Sequence, residues 1–234
     1  MEDRFYRIAT LALSLFYFVV LFAHYLKGRE KKNFNYARLM ARSAIFGALS
    51  TILYVVPIFS INLPFLPSFL SLHFDEIPAF IAGYAYGPLT AFLVLFIKTL
   101  IKLPFSQSLS VGEFTDLILS AIFLLPSTLI YKKMRNLKGV FAGFVVGFFL
   151  QNVAALILNI YVMLPFYIFV MGMSEESLLS LCRLANASIN DLKWSYGLFA
   201  VLPLNVIKDS IVLFVTFFAY RFLHKALRFE SQGE

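Results

Sequence analysis

The chain has 234 residues, of which 60% are apolar and only 14% charged, with 28 phenylalanines and a net charge of +7. A soluble domain runs about 45–50% apolar and about 25% charged, so the composition excludes an ordinary soluble protein and indicates an all-α integral membrane protein. The positive balance is not a nucleic-acid footprint, because the basic residues gather in short connections between apolar runs, where they signal topology.

The first apolar run is Ile8–Leu26. It follows Arg4 and Arg7, but Ala23 to Lys27 offers no small-residue cleavage site, so a retained helix is expected and not a signal peptide. Runs long enough for a hydrocarbon core of about 30 Å follow at Tyr36–Ile58, Gly87–Leu103, Glu113–Tyr131, Val140–Val170 and Trp194–Leu223. A short segment at Glu76–Ala85 is expected not to cross at full depth. Between the last two long runs, Ser174 as a cap and the stretch after it read as a short surface helix. The expected organisation is an extra N-terminal helix with its basic connection over residues 1–35, a main membrane domain over 36–228, and a polar tail over 229–234. Cys182 is the one cysteine; it has no internal partner and reads as an inert apolar side chain.

Three basic clusters set the orientation. Lys27, Arg29, Lys31, Lys32, Arg38 and Arg42 fill the first connection, Lys132, Lys133, Arg135 and Lys138 the one after Tyr131, and Arg221, Lys225 and Arg228 lie near the end. All three share one side if the N-terminus is outside and the C-terminus cytoplasmic.

Polar groups inside the runs are few. In the last run, Asn205 and Lys208 follow Pro203 and share one helical face at i, i+3. A lysine there costs about 2.5–3.5 kcal/mol on insertion scales, so an amide and an ammonium aimed at one place indicate a ligand site. By the helical rise, Asn159, Glu113, Asn205 and Lys208 all fall in the outer half of the membrane. A carboxylate, two amides and an ammonium among Tyr and Phe side chains suit a small-molecule pocket. The bland readings are a helix-start acid for Glu113 and interhelical hydrogen bonding for the amides. Lys98 and Lys102 are expected to snorkel to the outer headgroups. Asp75 and Glu76, ahead of Pro78, are expected to start the short helix; Asp116 and Asp209 have no assigned partner, though Lys208 is one candidate for Asp209.

Ala37, Ala41, Ala44 and Ala48 fall at spacings of four, three and four, which places them on one helical stripe. Small residues so arranged let another helix approach closely in lipid; packing within the chain is the alternative. P-loop, His-Glu-x-x-His and nucleophile-elbow signatures are absent from the sequence, and no catalytic or metal-ligating set stands out.

The order of alanine stripe, Phe74-Asp-Glu-Ile-Pro78, Gly112-Glu113, Asn159-x-Tyr-x-x-x-Pro165-x-Tyr167 and Pro203-x-Asn205-x-x-Lys208 resembles the riboflavin-specific S components of energy-coupling factor (ECF) vitamin transporters, over about residues 36–225. The resemblance implies a six-helix S-component bundle, here with one additional N-terminal helix, in the plasma membrane. It implies a non-enzymatic subunit without a cofactor, capturing riboflavin as transported substrate on the outer face. The implied partners are a membrane coupling subunit (the T component), a pair of ABC ATPases and the lipid bilayer, with no nucleic acid. Asn159, Asn205 and Lys208 match flavin-contacting positions, Glu113 matches a site carboxylate, and Ala37, Ala41, Ala44 and Ala48 match the face that docks on the coupling subunit. The chain departs from the pattern in its first run and at Asp75-Glu76, where the family often has Ser-Asp. An S component for another vitamin or flavin, or a membrane scaffold without transport, are the readings left open.

Overall fold

The computed structural model describes residues 35–231 apart from Gln107, with burial described as far as Phe222. The expected helix Ile8–Leu26 lies outside the described residues. The chain falls into two units, residues 1–41 and 42–234; of the first, the described residues are those that open α1.

Helix α1 spans Tyr36–Val55. Asn35 starts it, its side-chain oxygen accepting the Arg38 N–H at 3.1 Å, which satisfies one of the donors every helix start leaves open. Then come α2 (Glu76–Tyr86), α3 (Pro88–Lys102), α4 (Val111–Met134) and α5 (Leu137–Leu158). Segments long and apolar enough to cross a membrane cover Tyr36–Val55, Pro88–Phe105, Val111–Met134, Leu137–Phe169 and Trp194–Phe222. The 11-residue α2 reaches only about half of a bilayer at 1.5 Å per residue. It completes the six helices. Among the described residues the β pairing is one antiparallel bridge, Ile61 with Leu72.

Helices α4 and α5 form a tight hairpin. Arg135 takes a left-handed conformation at the end of α4, and Asn136 caps α5 by accepting the Gly139 N–H at 2.8 Å. Further along, Ser127 Oγ donates to the Gly143 carbonyl at 2.7 Å.

The expected single run Val140–Val170 is not one regular helix. It divides into α5, a π-helical turn Asn159–Met163, and α6 (Leu164–Phe169). The last run repeats the device: a single turn α8 (Trp194–Tyr196), a π turn Gly197–Val201, then α9 (Leu202–Ser231). Each π turn is followed by Leu-Pro, at Leu164-Pro165 and Leu202-Pro203. The reason is steric. A proline inside an α-helix lacks an N–H and clashes with the carbonyl four residues back. One extra residue in the preceding turn moves that carbonyl away, and the bond closes five residues on instead: Leu164 N–H to Asn159 O, and Leu202 N–H to Gly197 O. The two wide turns pack together through Gly197. A Cβ there would meet Leu156 and Ile160 at 3.2 Å, so a larger residue would push the turns apart.

The expected surface helix is present as α7 (Glu175–Ala185), with Ser174 Oγ accepting the Ser177 N–H at 3.1 Å. Leu178 and Cys182 on α7 pack with Leu66, Leu72 and Ile189 from the loops, with Tyr196 of α8, and with Ala200 and Val201 of the second π turn. The loop 60–74, α7 and the two π-turned helices thus share one apolar core. Burial pushes the Cys182 thiol up to about 11, which keeps it protonated and unreactive at neutral pH.

Candidate functional site

The polar groups of the bundle fall into two connected buried clusters. Lys98 of α3 is fully buried. Its ammonium pairs with Asp75, which occupies the N-cap position of α2, and with Asp116 of α4 at 2.9 Å. The expectation that Lys98 snorkels to the headgroups is therefore corrected: its partners lie inside the protein. Asp75 is also corrected in part. It sits where a helix-starting acid sits, but its side chain caps no backbone N–H; it serves Lys98 instead. Lys102, one turn further on, lies 5.1 Å from the centre of the Tyr54 ring and reaches the Tyr54 carbonyl at 3.5 Å.

The second cluster centres on Lys208 of α9, 8% exposed. Its Nζ lies 3.0 Å from Glu76 Oε1 and 3.9 Å from Asp209 Oδ1. Ser120 of α4 donates to the same Glu76 oxygen at 2.8 Å. Asn152 of α5 donates to Asp209 Oδ2 at 3.0 Å. Ser120 Oγ lies 3.5 Å from Lys98 Nζ, which joins the two clusters. Asp209 thus has its partner in Asn152 before Lys208.

Asn205 lies one turn above Lys208 on α9 and is 4% exposed. Its Nδ2 donates to the Val201 carbonyl at 2.8 Å, at the end of the second π turn. Asn159 opens the first π turn, and its Nδ2 donates to the Ala155 carbonyl at 2.9 Å. An asparagine side chain has two N–H donors and an oxygen acceptor. One N–H of each amide is thus fixed by its own helix, so the amide plane is oriented before any ligand arrives. Glu113, in the first turn of α4, is 5% exposed and accepts from Ser106 at 2.6 Å and Ser108 at 3.0 Å. It ties down a connection in which Leu109 and Ser110 have positive φ, a costly conformation outside glycine. Thr115, two residues on, reaches the Met163 sulfur of the first π turn at 3.5 Å. The start of α4 therefore borders the turn that carries Asn159. None of Glu113, Asn159, Asn205 and Lys208 hydrogen-bonds another of the four, among the described residues.

Three aromatic rings pack in the same core as Ala200, Val201 and Leu204 near the second π turn. The Phe69 ring, from the loop 60–74, is 5.3 Å from that of Tyr167 on α6 and 6.3 Å from that of Tyr196 on α8. Oriented amides, a lysine and aromatic faces are what a planar heterocycle with polar edges requires. Sequence reading missed Glu76, Ser120, Asn152 and Phe69 here. One signal was available for the ionic cluster: Lys98 stands inside an apolar run, where an unpaired charge is costly.

The family model described as "ECF transporter, substrate-specific component" matches residues 38–220. The chain belongs to the substrate-specific components of ECF transporters. As an S component it is a transport subunit and not an enzyme, and it works with a T component and ABC ATPases. It is 28% identical over 203 residues to the riboflavin transporter RibU of Staphylococcus aureus (strain TCH60), covering 87% of this chain and 99% of that one. It is 29% identical over 174 residues to the riboflavin transporter FmnP of Bacillus subtilis (strain 168), covering 73% and 85%. A solved structure described as "Structure and mechanism of the S component of a bacterial ECF transporter" superposes with a TM-score of 0.64 at 25% identity, over 82% of this chain and 99% of that one. The family, the bundle and the multi-pass membrane location expected from the sequence are borne out.

Proposed function

We propose that this S component captures riboflavin from the outer side of the plasma membrane. Asn159, Asn205 and Lys208 take the isoalloxazine edge, Phe69 and Tyr167, which pack on each other, lie together beside the ring, and Glu113 serves the ribityl end. The observation that carries the reading is the pair of adjoining π-turned helices, each presenting an asparagine already oriented by its own backbone. The ring edge alternates carbonyl acceptors with an imide N–H. Amides can answer both, and a lysine answers the acceptors. The ribityl hydroxyls suit a carboxylate acceptor. Names of the relatives point to the same vitamin. No second ligand has a specific observation in its favour.

The test is a titration of flavin fluorescence quenching on purified protein. Wild type should purify yellow. Asn205→Ala and Lys208→Ala each remove a group that the ring edge would pair with, leaving buried ligand atoms unsatisfied at about 1–3 kcal/mol per group, so affinity should fall roughly tenfold to a hundredfold. Wild-type affinity in both variants would move the site elsewhere.

The same reading sets the topology: N-terminus outside, C-terminus cytoplasmic, with residues 36–228 as the vitamin-binding domain and 1–35 as an addition to it. Asn136, in the connection between α4 and α5, and Ser188, after α7, should lie on opposite faces. In a Cys182→Ala background, Asn136→Cys and Ser188→Cys should label with an impermeant maleimide from the cytoplasmic and outer sides respectively. Labelling from one common side would refute the arrangement.

A further inference from the structure

We propose that Glu76 is a positioning residue for riboflavin binding: it holds the Lys208 ammonium at the place where the ligand meets it. The inference rests on the reading of Lys208 as a ligand contact. A lysine ends a flexible four-carbon stem with about 2 kcal/mol of rotamer freedom, and a free one would bind a ligand only after losing it. Lys208 is not free. Glu76 Oε1 lies 3.0 Å from its Nζ, across 132 positions of sequence.

Glu76 is itself held from two sides. It opens α2, so its backbone is fixed in a helical turn. Ser120 of α4 donates to the oxygen that meets Lys208. The neighbouring Lys98 fixes Asp75 on one side and Asp116 on the other, which ties the start of α2 to α3 and α4. The other Glu76 oxygen, Oε2, is buried without a hydrogen-bond partner among the described residues. The contacts of this carboxylate are therefore gathered on the oxygen that faces Lys208. Asp209 is further away at 3.9 Å and is engaged by Asn152, so it does not substitute for Glu76. An ammonium has three donors. One spent on Glu76 leaves others for a ligand carbonyl. The pairing also cancels the lysine charge, which suits a neutral vitamin.

The test is a double-mutant cycle on the purified full chain, with riboflavin as probe and melting temperature recorded for every variant. Lys208→Met should weaken riboflavin binding about tenfold or more. Glu76→Gln should weaken it by roughly threefold to thirtyfold, because a neutral amide holds the ammonium less firmly. In the Lys208→Met background, Glu76→Gln should change affinity by less than about twofold, since residues acting through one contact do not add. Glu76→Asp keeps the charge one methylene short. It should give an intermediate loss that also vanishes in the Lys208→Met background, which covers the case in which Glu76→Gln does not fold. Losses that multiply in the double variant would overturn the inference, because Glu76 would then act elsewhere. So would an unchanged affinity in both Glu76 variants while Lys208→Met stays weak. Should Lys208→Met alone bind like wild type, the proposed site falls first, and the positioning role with it.

Discussion

Lys98→Met should lower the melting temperature of this protein by on the order of 10 °C. Methionine keeps most of the volume and removes the charge. Asp75, 2% exposed, would then be buried without a cation, and Asp116, whose side chain is 25% exposed, would lose its partner. Removing one partner of a buried ion pair costs about 3–5 kcal/mol, because the charge left behind has neither water nor a counter-ion. The loss comes from the stranded carboxylates and not from missing attraction as such. It follows that Asp75→Asn added to Lys98→Met should recover much of the stability. Thermal unfolding in detergent, followed by loss of soluble protein, measures both. If Lys98→Met melts within about 2 °C of wild type, the lysine is not confined by its carboxylates and reaches the headgroups as its place in the sequence suggests.

The second large effect concerns assembly. Ala44 and Ala48 are exposed on α1, whereas Ser43, Gly47, Ser50 and Tyr54 form its buried face. Ser50 Oγ donates to the Asp75 carbonyl, and a Cβ on Gly47 would meet the Ile97 side chain at 2.8 Å. The helix thus has two small-residue faces: one is used inside the bundle, the other is the alanine stripe. Ala37 and Ala41, in the first unit, are exposed as well. We propose that the stripe is the docking face for the T component, where close approach depends on small side chains because lipid supplies little hydrophobic drive. Ala44→Trp and Ala48→Trp should leave riboflavin affinity within about twofold, since neither touches the candidate site. They should abolish co-purification with the coupling complex and ATP-driven uptake. Gly47→Leu is the contrasting variant. It should damage stability first, through the overlap with Ile97. Intact uptake in both tryptophan variants would mean that another helix docks.

Much of the fold was legible because membrane helices announce themselves by length and hydropathy alone. The five long spans and the short α2 were readable that way, and the surface helix from its Ser174 cap. The candidate site was half legible. Asn205 and Lys208 stood out because both are expensive in an apolar run and three residues apart. Glu76 did not, because an acid ahead of Pro78 has a sufficient local explanation as a helix starter, and its real partner is 132 positions away. Lys98 was misread for a related reason. Lys102 and Pro104 mark a helix end nearby, and a lysine near an end can snorkel. Depth along the helix decided the matter, and depth depends on which helices surround it. The π turns left only Pro165 and Pro203 as traces, since an extra residue in a turn has no composition of its own.

Those two wide turns have an effect on rotational phase. Each residue of an α-helix advances the facing direction by about 100°. An inserted residue therefore rotates everything after it by nearly a third of a revolution relative to everything before. In the last span, Trp194–Tyr196 and the face bearing Asn205 and Lys208 are out of register with each other by that amount. Tyr196 can stay in the apolar core while, about three turns on, Lys208 turns toward Glu76. A regular helix of the same sequence would turn Lys208 away from its present bearing, relative to Tyr196, by about that angle. The two wide turns thus act as clutch plates in two adjacent shafts, letting the segments on either side of each turn keep a bearing of their own.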